Sequence, residues 1–306
     1  METLKISVVI PCYNAGAFIS DAISSVISQT FPPYETIVVD DGSSDDTLQQ
    51  LQAWKDEVKV LHSPRKGGAG ARNIGIQAAT GQWIAFLDAD DVWYPEHLQR
   101  AMETIRSHRG LSGYINHYDE QVLPEREIKK RHWPFDGPVT GKGLSEYIEV
   151  YLRYGNFVGM SACLIAKEAL KEVDYLDESM VRRHDIDCWL RVVRGRRWVF
   201  DHVTTSLYRK NREGSLSEHK ASINLYRFLA FRKHAAELKG DPSYELLLNQ
   251  LARKALRNSY RFGSDVEREQ THHLVYAFLD RRNKVLYGLL RPFPFLFRPL
   301  KRAGIV

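Results

Sequence analysis

Apolar runs and helically spaced apolar residues alternate along the first hundred positions of the chain. The runs are rich in β-branched residues and lie at 4–10, 35–39, 58–61 and 83–87. Short runs of this kind, ending at polar or turn-forming residues, predict buried strands. Between them, apolar residues three and four positions apart predict helices, notably over 18–27 and 71–79. This alternation predicts βαβ units and a mostly parallel sheet.

Local signals refine the helix starts in this region. Ser43 and Asp46 have the spacing of a capping box, which predicts a helix through Leu51. The glycine-rich stretch 66–70 predicts a flexible loop ahead of the next helix. Pro95 suits the first turn of the helix that follows the fourth strand.

The pattern is less regular between 110 and 180 and becomes helical beyond 220. A helix is predicted near 143–153. Asp241 before a proline, and the pair Ser264 and Glu267, each predict the start of a helix in the last third of the chain.

Polar side chains follow three of the predicted strands. They are Tyr13 and Asn14 after the first strand, Asp40 and Asp41 after the second, and Asp88 and Asp90 after the fourth. The carboxyl ends of parallel strands share one edge of a sheet, and ligands bind there in open α/β folds. We therefore expect a binding site at this edge.

Asp88 and Asp90 are a candidate metal site. If the backbone is extended there, their spacing of two places both carboxylates on one face. Hard oxygen ligands suit Mg²⁺ or Mn²⁺, which commonly bridge carboxylates and substrate phosphates. Taken alone, the motif is better explained by a solvated aspartate-rich turn in which Asp90 or Asp91 caps the helix at Pro95.

The glycine stretch does not match a nucleotide-binding fingerprint. Gly68 and Gly70 would need a third glycine at position 73, where Asn73 stands, and no Gly-Lys-Ser/Thr ends the stretch. Arg72 remains as a group whose guanidinium suits a phosphate.

Composition places the chain among soluble globular proteins. Its 306 residues carry 43 basic and 38 acidic side chains, a net charge of +5. That charge is uneven, with −9 over 1–180 and +14 over 181–306. There is no signal-peptide pattern and no apolar stretch of ~18 residues. Cys12, Cys163 and Cys188 are predicted to be reduced, buried thiols in a cytoplasmic protein.

Several ordered segments together resemble inverting glycosyltransferases of family 2, of the type that builds bacterial cell-surface glycans. They are ISVVIPCYN at 6–14, VVDDGSSD at 38–45, the stretch 66–91, DIDCWLR at 185–191 and YRKNREGSLS at 208–217. The strong matches cover about residues 4–98 and 185–217. Five motifs in order are far more specific than any one of them.

The resemblance implies an α/β, type-A glycosyltransferase fold, with a Rossmann-like, mostly parallel sheet, flanking helices and a helical C-terminal extension. It implies a catalytic domain over 1–218, in which 1–110 binds the nucleotide-sugar and 111–218 binds the acceptor. The remainder, 219–306, would be a helical, basic region that associates with a membrane.

The resemblance also implies roles for individual residues on the donor side. Those implied to bind the nucleotide-sugar are Pro11, Tyr13 and Asn14 around the base, Asp40 and Asp41 beside it, Arg72 by the diphosphate, Asp88 at the ribose or at metal-bound water, and Ala89. Asp90 would ligate a divalent cation, Mn²⁺ or Mg²⁺.

On the acceptor side, the resemblance implies that Asp185 is the general base. His184, Trp189 and Arg212 would face the acceptor, although a core position explains Trp189 nearly as well. His184 stands where the family usually has glutamate, and Asn211 or Arg212 stands near its usual histidine. An imidazolium at His184 would lower the pKa of Asp185.

The implied activity is metal-dependent, inverting transfer of a sugar from a nucleotide-sugar, most simply a UDP-sugar. The acceptor would be a hydroxyl of a glycan or lipid-linked molecule in surface polysaccharide or lipopolysaccharide synthesis. The alternatives are a nucleotide-sugar-binding relative without catalysis, a nucleotidyltransferase, and a phosphoacceptor receiver domain.

The end of the chain predicts contact with a membrane surface. Residues 281–306 contain seven Lys and Arg and no acid, interleaved with Leu, Phe and Pro. Such a segment suits an anionic membrane, with basic groups at the headgroups and apolar ones inserted. The alternative is a packed tail with a solvated basic face. No nucleic-acid-binding motif is present, so a nucleic-acid partner is not expected. From the basic and apolar segment, we expect a cytoplasmic protein that lies peripherally on the inner face of the plasma membrane.

Overall fold

The computed structural model describes residues 4–124, 127–131, 137–155, 158–210, 221–292, 294 and 297. The chain forms two compact units, Met1–Arg212 and Glu213–Val306.

The first unit begins with the predicted alternation of strands and helices. Its strands are β1 (Ile6–Cys12), β2 (Glu35–Asp40), β3 (Lys59–His62) and β4 (Trp83–Phe86). Its helices are α1 (Ile19–Ile27), α2 (Thr47–Gln52) and α3 (Gly67–Ala78). The four strands are parallel, in the order β3-β2-β1-β4. The predicted parallel sheet is confirmed.

Register brings the ends of these strands together. Cys12 pairs with Asp40, and Asp40 pairs with His62, so the last residues of three strands lie in one row. Strands β1, β2 and β4 are buried on both faces, which is why they are continuous apolar runs, whereas the edge strand β3 is partly exposed.

The rest of this unit extends the sheet. Its strands are β5 (Val92–Trp93), β6 (Leu111–Val122), β7 (Glu127–Lys129), β8 (Val139–Lys142), β9 (Cys163–Ala166) and β10 (Arg197–Lys210). Its helices are α4 (His97–Ser107), α5 (Leu144–Tyr154), α6 (Lys167–Glu172) and α7 (His184–Val193). The sheet continues from β4 in the order β9-β6-β10-β5, with β7 beside β6 and β8 beside β10.

Strand β9 is antiparallel and lies between β4 and β6. Trp83 pairs with Ala166, and Ala85 pairs with Leu164. A 3-10 turn at Met160–Ala162 precedes this strand, so the turn lies beside the end of β4. This insertion connects the two halves of the unit.

The long strands β6 and β10 were not predicted, because buried polar residues interrupt their apolar pattern. Asn116 and His117 are buried, and their side chains contact Thr205 and Thr204 of the neighbouring strand. Buried polar groups that are hydrogen-bonded across a ladder are tolerated in a core. Burial lowers the pKa of His117 to about 4, so it is neutral there.

The second unit is helical. It contains α8 (Ile223–Arg232), α9 (Pro242–Phe262), α10 (Asp265–Val275) and α11 (Arg281–Leu290). Both predicted helix starts are confirmed. Asp241 accepts hydrogen bonds from the backbone of Ser243 and Tyr244, and Ser264 and Glu267 form the reciprocal capping box. Among the described residues, no helix is both long and apolar enough to span a membrane.

Two local predictions were wrong. The glycine-rich stretch is not a flexible loop, because α3 begins at Gly67. The predicted capping box at Ser43 does not form. The α2 helix begins at Thr47 without a side-chain cap, and the Ser43 hydroxyl instead accepts a hydrogen bond from the Asn14 amide at 3.0 Å. In both cases a partner distant in sequence determines the local structure.

Close packing of α3 on the sheet depends on Gly75. A Cβ at this position would lie 2.5 Å from a methyl of Val9 and 3.2 Å from a methyl of Val39. In an exposed helix interior, alanine is more stabilising than glycine by ~1 kcal/mol. Overpacking a core, by contrast, costs about 1–3 kcal/mol.

A Cβ only 2.5 Å from a Val9 methyl puts the overpacking cost near its upper end, so after the helix gain we expect Gly75→Ala to lower the free energy of unfolding by about 2 kcal/mol in urea titrations. Gln77→Ala, an exposed position on the same helix, is the control and should change it by less than about 0.5 kcal/mol. A Gly75→Ala protein as stable as the control would contradict the packing.

Candidate active site

The loops after β1 and β2 are pinned together by Asn14. Its amide donates to Ser43, and its side-chain oxygen accepts from the Ser44 amide at 2.9 Å. Asn14 has a φ of 47°, in the left-handed region that asparagine tolerates well. The predicted pocket residue therefore shapes the loops that would surround the base.

Asp40 and Asp41 are both buried, but they have different partners. Asp40 accepts from the Ser43 amide at 3.3 Å. Asp41 accepts from Ser63 and from the amides of Lys66 and Gly67, the latter two at 2.8 Å. Asp41 thus caps the start of α3 from a neighbouring strand, a role that the sequence did not indicate.

Tyr13 is stacked by Arg65, which no sequence motif had indicated. The Arg65 guanidinium lies 3.9 Å from the centre of the Tyr13 ring. Its side chain passes Gly42, where an added Cβ would lie 2.9 Å from Arg65 Cδ. Gly42 has a φ of 77°, so it permits both the turn and this close approach. Pro11, the other predicted pocket residue, pairs with Val39 within the sheet.

Arg72 joins three parts of the unit. Its guanidinium forms an ion pair with Asp88, donates to the Gly68 carbonyl at 2.9 Å, and lies 3.0 Å from Nε2 of His184. The side chain is largely buried, and a buried cation needs such partners. The structure thus brings together Arg72, Asp88 and His184 from separate segments.

The next residue of α3 adds a second connection. Asn73 donates to the Leu176 carbonyl at 2.9 Å and accepts from the Leu176 amide at 3.0 Å. The residue that breaks the dinucleotide fingerprint therefore holds the segment that leads to α7.

His184 is neutral. Burial and the Arg72 charge lower its pKa, and a guanidinium can only donate, so Nε2 accepts and the proton is on Nδ1. The expectation of a charged imidazolium beside Asp185 is therefore wrong. Asp185 is half-buried in the first turn of α7 and makes no hydrogen bond or ion pair within the described part of the chain.

The second aspartate pair lies in a tight turn, not in an extended segment. The Asp91 amide donates to the Asp88 carbonyl at 3.0 Å, which closes a turn over 88–91. The expectation that Asp88 and Asp90 share one face of an extended strand is therefore wrong. Asp88 faces Arg72, Ala89 is buried, and Asp90 is partly exposed.

Asp91 is not a helix cap. It is 0% exposed, and its carboxylate accepts from the Ser161 hydroxyl and from the Arg209 amide at 2.9 Å. Burial, followed by the charges of Asp90 and Asp88, raises the pKa of Asp91 well above its ordinary value. The helix it was expected to cap, α4, begins only at His97.

The turn fits a cation held partly by the substrate. Three carboxylates within four residues repel one another, which favours a bound cation. Among the described residues, no three His, Cys, Asp or Glu side chains converge as a metal cage. Mg²⁺ is usually held by one or two carboxylates, waters and substrate phosphates, so Asp90 alone suits it.

One predicted acceptor-side residue, Trp189, does not take that place. Trp189 is 1% exposed, and its ring fills the space where a side chain at Gly113 would lie, so it is a core residue and this prediction is corrected. Arg212 and Asn211 lie outside the described residues. The three cysteines are buried and unpaired, as predicted.

The cap on α3 gives a test of this arrangement. We expect Asp41→Asn to lower the free energy of unfolding by about 1–3 kcal/mol, since the amide nitrogen would face backbone donors. Asp46→Asn is the matched control, because Asp46 is exposed. Thermal unfolding compares the two, and equal midpoints would contradict the cap.

Comparison with known proteins connects this geometry to a family. Glycosyl transferase family 2 matches residues 7–167, more than half of the chain. An uncharacterised glycosyltransferase from Nostoc sp. is 36% identical over 181 residues, which cover 57% of this chain and 54% of that protein. WfgD from Escherichia coli, a UDP-Glc:α-D-GlcNAc-diphosphoundecaprenol β-1,3-glucosyltransferase, is 43% identical over 101 residues, which cover 32% of this chain and 40% of WfgD.

Among solved structures, S. aureus TarS 1–349 in complex with UDP-GlcNAc matches with a TM-score of 0.67 at 19% identity. The match covers 99% of this chain and 89% of that one, and it confirms the expected type-A glycosyltransferase fold. This chain spans about half the length of the sequence relatives or less. Because the family match extends over residues 7–167 and the fold is shared, we conclude that the chain belongs to Glycosyl transferase family 2.

Proposed function

We propose that this chain is a metal-dependent, inverting glycosyltransferase that uses a UDP-sugar. The observation that carries the proposal is the Arg72 contact with both Asp88 and His184. It places a buried cation between the aspartate turn and the start of the helix that bears Asp185. A leaving diphosphate needs a cation on one side, and an attacking hydroxyl needs a base on the other.

On the donor side, the loops after β1 and β2 would hold the nucleotide. Tyr13 and Arg65 offer flat surfaces to the base, and Asp40 offers an acceptor at the end of β2. Arg72 would bind the diphosphate and offset the negative charge that develops on it. A Mn²⁺ or Mg²⁺ ion ligated by Asp90 would supply further charge neutralisation when bound.

On the acceptor side, Asp185 would accept the proton of the attacking hydroxyl. The oxygen would bond to the anomeric carbon from the face opposite the diphosphate, while the bond to the diphosphate breaks. An α-linked donor would thus give a β-linked product. The neutral His184 beside Asp185 adds no positive charge next to this carboxylate.

The relatives support a substrate class. WfgD takes glucose from UDP-Glc to a diphosphoundecaprenol-linked sugar, and the TarS structure contains UDP-GlcNAc. We propose a UDP-hexose or UDP-N-acetylhexosamine donor and a glycan or lipid-linked acceptor in surface polysaccharide synthesis. Within this proposal, 1–110 serves the donor and 111–218 the acceptor.

Membrane association is a separate part of the proposal and concerns the second unit. On α11, Val285 and Leu289 are 60% and 67% exposed, and Arg281 and Arg282 are exposed on the preceding turn. Exposed aliphatic and basic side chains on one short helix suit an anionic lipid surface. We propose that 281–306 holds the enzyme on the inner face of the membrane.

Replacement of the base tests the activity. We expect Asp185→Asn to lower acceptor-dependent UDP release by about 100-fold to 10,000-fold, the usual contribution of general base catalysis. Asp56→Asn, an exposed position in the same unit, should keep wild-type rates. The donor is first chosen by screening nucleotide-sugars for Mn²⁺-dependent thermal stabilisation. An Asp185→Asn enzyme with unchanged turnover would exclude this base.

Liposome co-sedimentation tests the membrane proposal. The full chain should bind vesicles containing anionic lipid, and the double variant Arg281→Glu/Arg282→Glu should bind them less. Arg106→Glu/Arg109→Glu makes the same charge change at two exposed positions of the first unit and should not. Equal losses in both variants would indicate a general charge effect and reject the proposed surface.

A further inference from the structure

Ser161 has no role in the proposed mechanism, yet it contacts both ends of the aspartate turn. Its hydroxyl accepts a hydrogen bond from the Asp88 amide at 3.0 Å and donates to the Asp91 carboxylate. Its carbonyl accepts from the Trp93 indole at 2.6 Å. One residue therefore holds the first residue of the turn, its last residue and the strand that follows.

The sheet explains why this serine is in place. In the antiparallel ladder between β4 and β9, Ala85 pairs with Leu164. The 3-10 turn at Met160–Ala162 directly precedes β9, so Ser161 lies beside the residues that follow β4. The insertion of β9 beside β4 thus delivers a hydroxyl to the turn from a segment more than seventy residues away in sequence.

The hydroxyl also fits the hydrogen-bonding needs of Asp91. This carboxylate is fully buried and requires donors on its oxygens. The Arg209 amide serves one oxygen and the Ser161 hydroxyl serves the other. A hydroxyl can accept one bond and donate another, so serine satisfies the Asp88 amide and the Asp91 carboxylate at once.

We propose that Ser161 is a positioning residue for the turn at 88–91, and that its hydroxyl sets the place of Asp90 for the donor-bound cation. The inference rests on the proposed function, since it concerns the same site. Groups that orient metal-binding carboxylates commonly affect metal affinity as strongly as they affect activity.

The test is calorimetry of UDP binding to the full chain, with Mn²⁺ and with EDTA. We expect Ser161→Ala to weaken Mn²⁺-dependent UDP binding by about 10-fold to 100-fold, while binding in EDTA is unchanged. A purely structural role would lower the unfolding temperature but leave the Mn²⁺ dependence of the folded protein intact. Ser161→Thr, which keeps the hydroxyl, should restore most of the dependence.

Ser206→Ala is the matched control. Ser206 is also buried, in β10, and its hydroxyl has no hydrogen-bond partner among the described residues. This variant should bind UDP as the wild type does in both conditions. A Ser161→Ala protein that behaves like the control would overturn the inference.

A double-mutant comparison tests the route through Asp91. If the two residues act through their shared hydrogen bond, the double variant Ser161→Ala/Asp91→Asn should bind UDP as tightly as the single variant that has the lower affinity. Additive losses would contradict that route. Asp91→Asn also provides the same measurement on its own if Ser161→Ala does not fold.

The outcomes separate this inference from the proposed function. If wild-type protein and Ser161→Ala show the same Mn²⁺-dependent UDP binding, the positioning role alone is overturned. Wild-type protein with no cation-dependent UDP binding would overturn the proposed metal-dependent activity, and this inference with it.

Discussion

The site depends on one buried guanidinium. Arg72 is largely removed from water, so its charge must be balanced by partners inside the protein. Those partners come from the turn after β4 and from the start of α7, and the Gly68 carbonyl fixes the arginine to its own helix. Because an unpaired buried cation is costly, α3, the turn after β4 and the start of α7 must keep one relative position.

The helix that carries this arginine is itself fixed at several points. Asp41 caps its first turn, Gly75 lets it lie close on the sheet, and Asn73 binds the backbone of Leu176. Each contact links α3 to a different neighbour. A rigid helix is needed here, because a guanidinium that moved to about 3.6 Å from the carboxylate or the imidazole would no longer be hydrogen-bonded to it.

Much of this arrangement follows from the sequence. The strand-and-helix alternation, the polar residues at strand ends and the two helix starts in the second unit are local patterns, and the structure has them. The contributions of Arg65, Ser161 and Asp91 were not predicted. Each depends on a partner distant in sequence, and an isolated serine or a third aspartate gives no periodic signal. Trp189 was expected in the acceptor wall but lies in the core. A resemblance between motifs does not distinguish these two positions of a tryptophan.

The antiparallel position of β9 has a consequence for how such chains can vary in length. Side chains alternate between the faces of a strand, so loss or gain of one residue within β9 would reverse which of its side chains face each side of the sheet and would shift Ser161 relative to the turn after β4. Insertions in the connection before Met160 would leave that register unchanged. Among relatives, the short segment 161–166 should therefore keep its length and its serine at 161, while the preceding connection is free to differ in length.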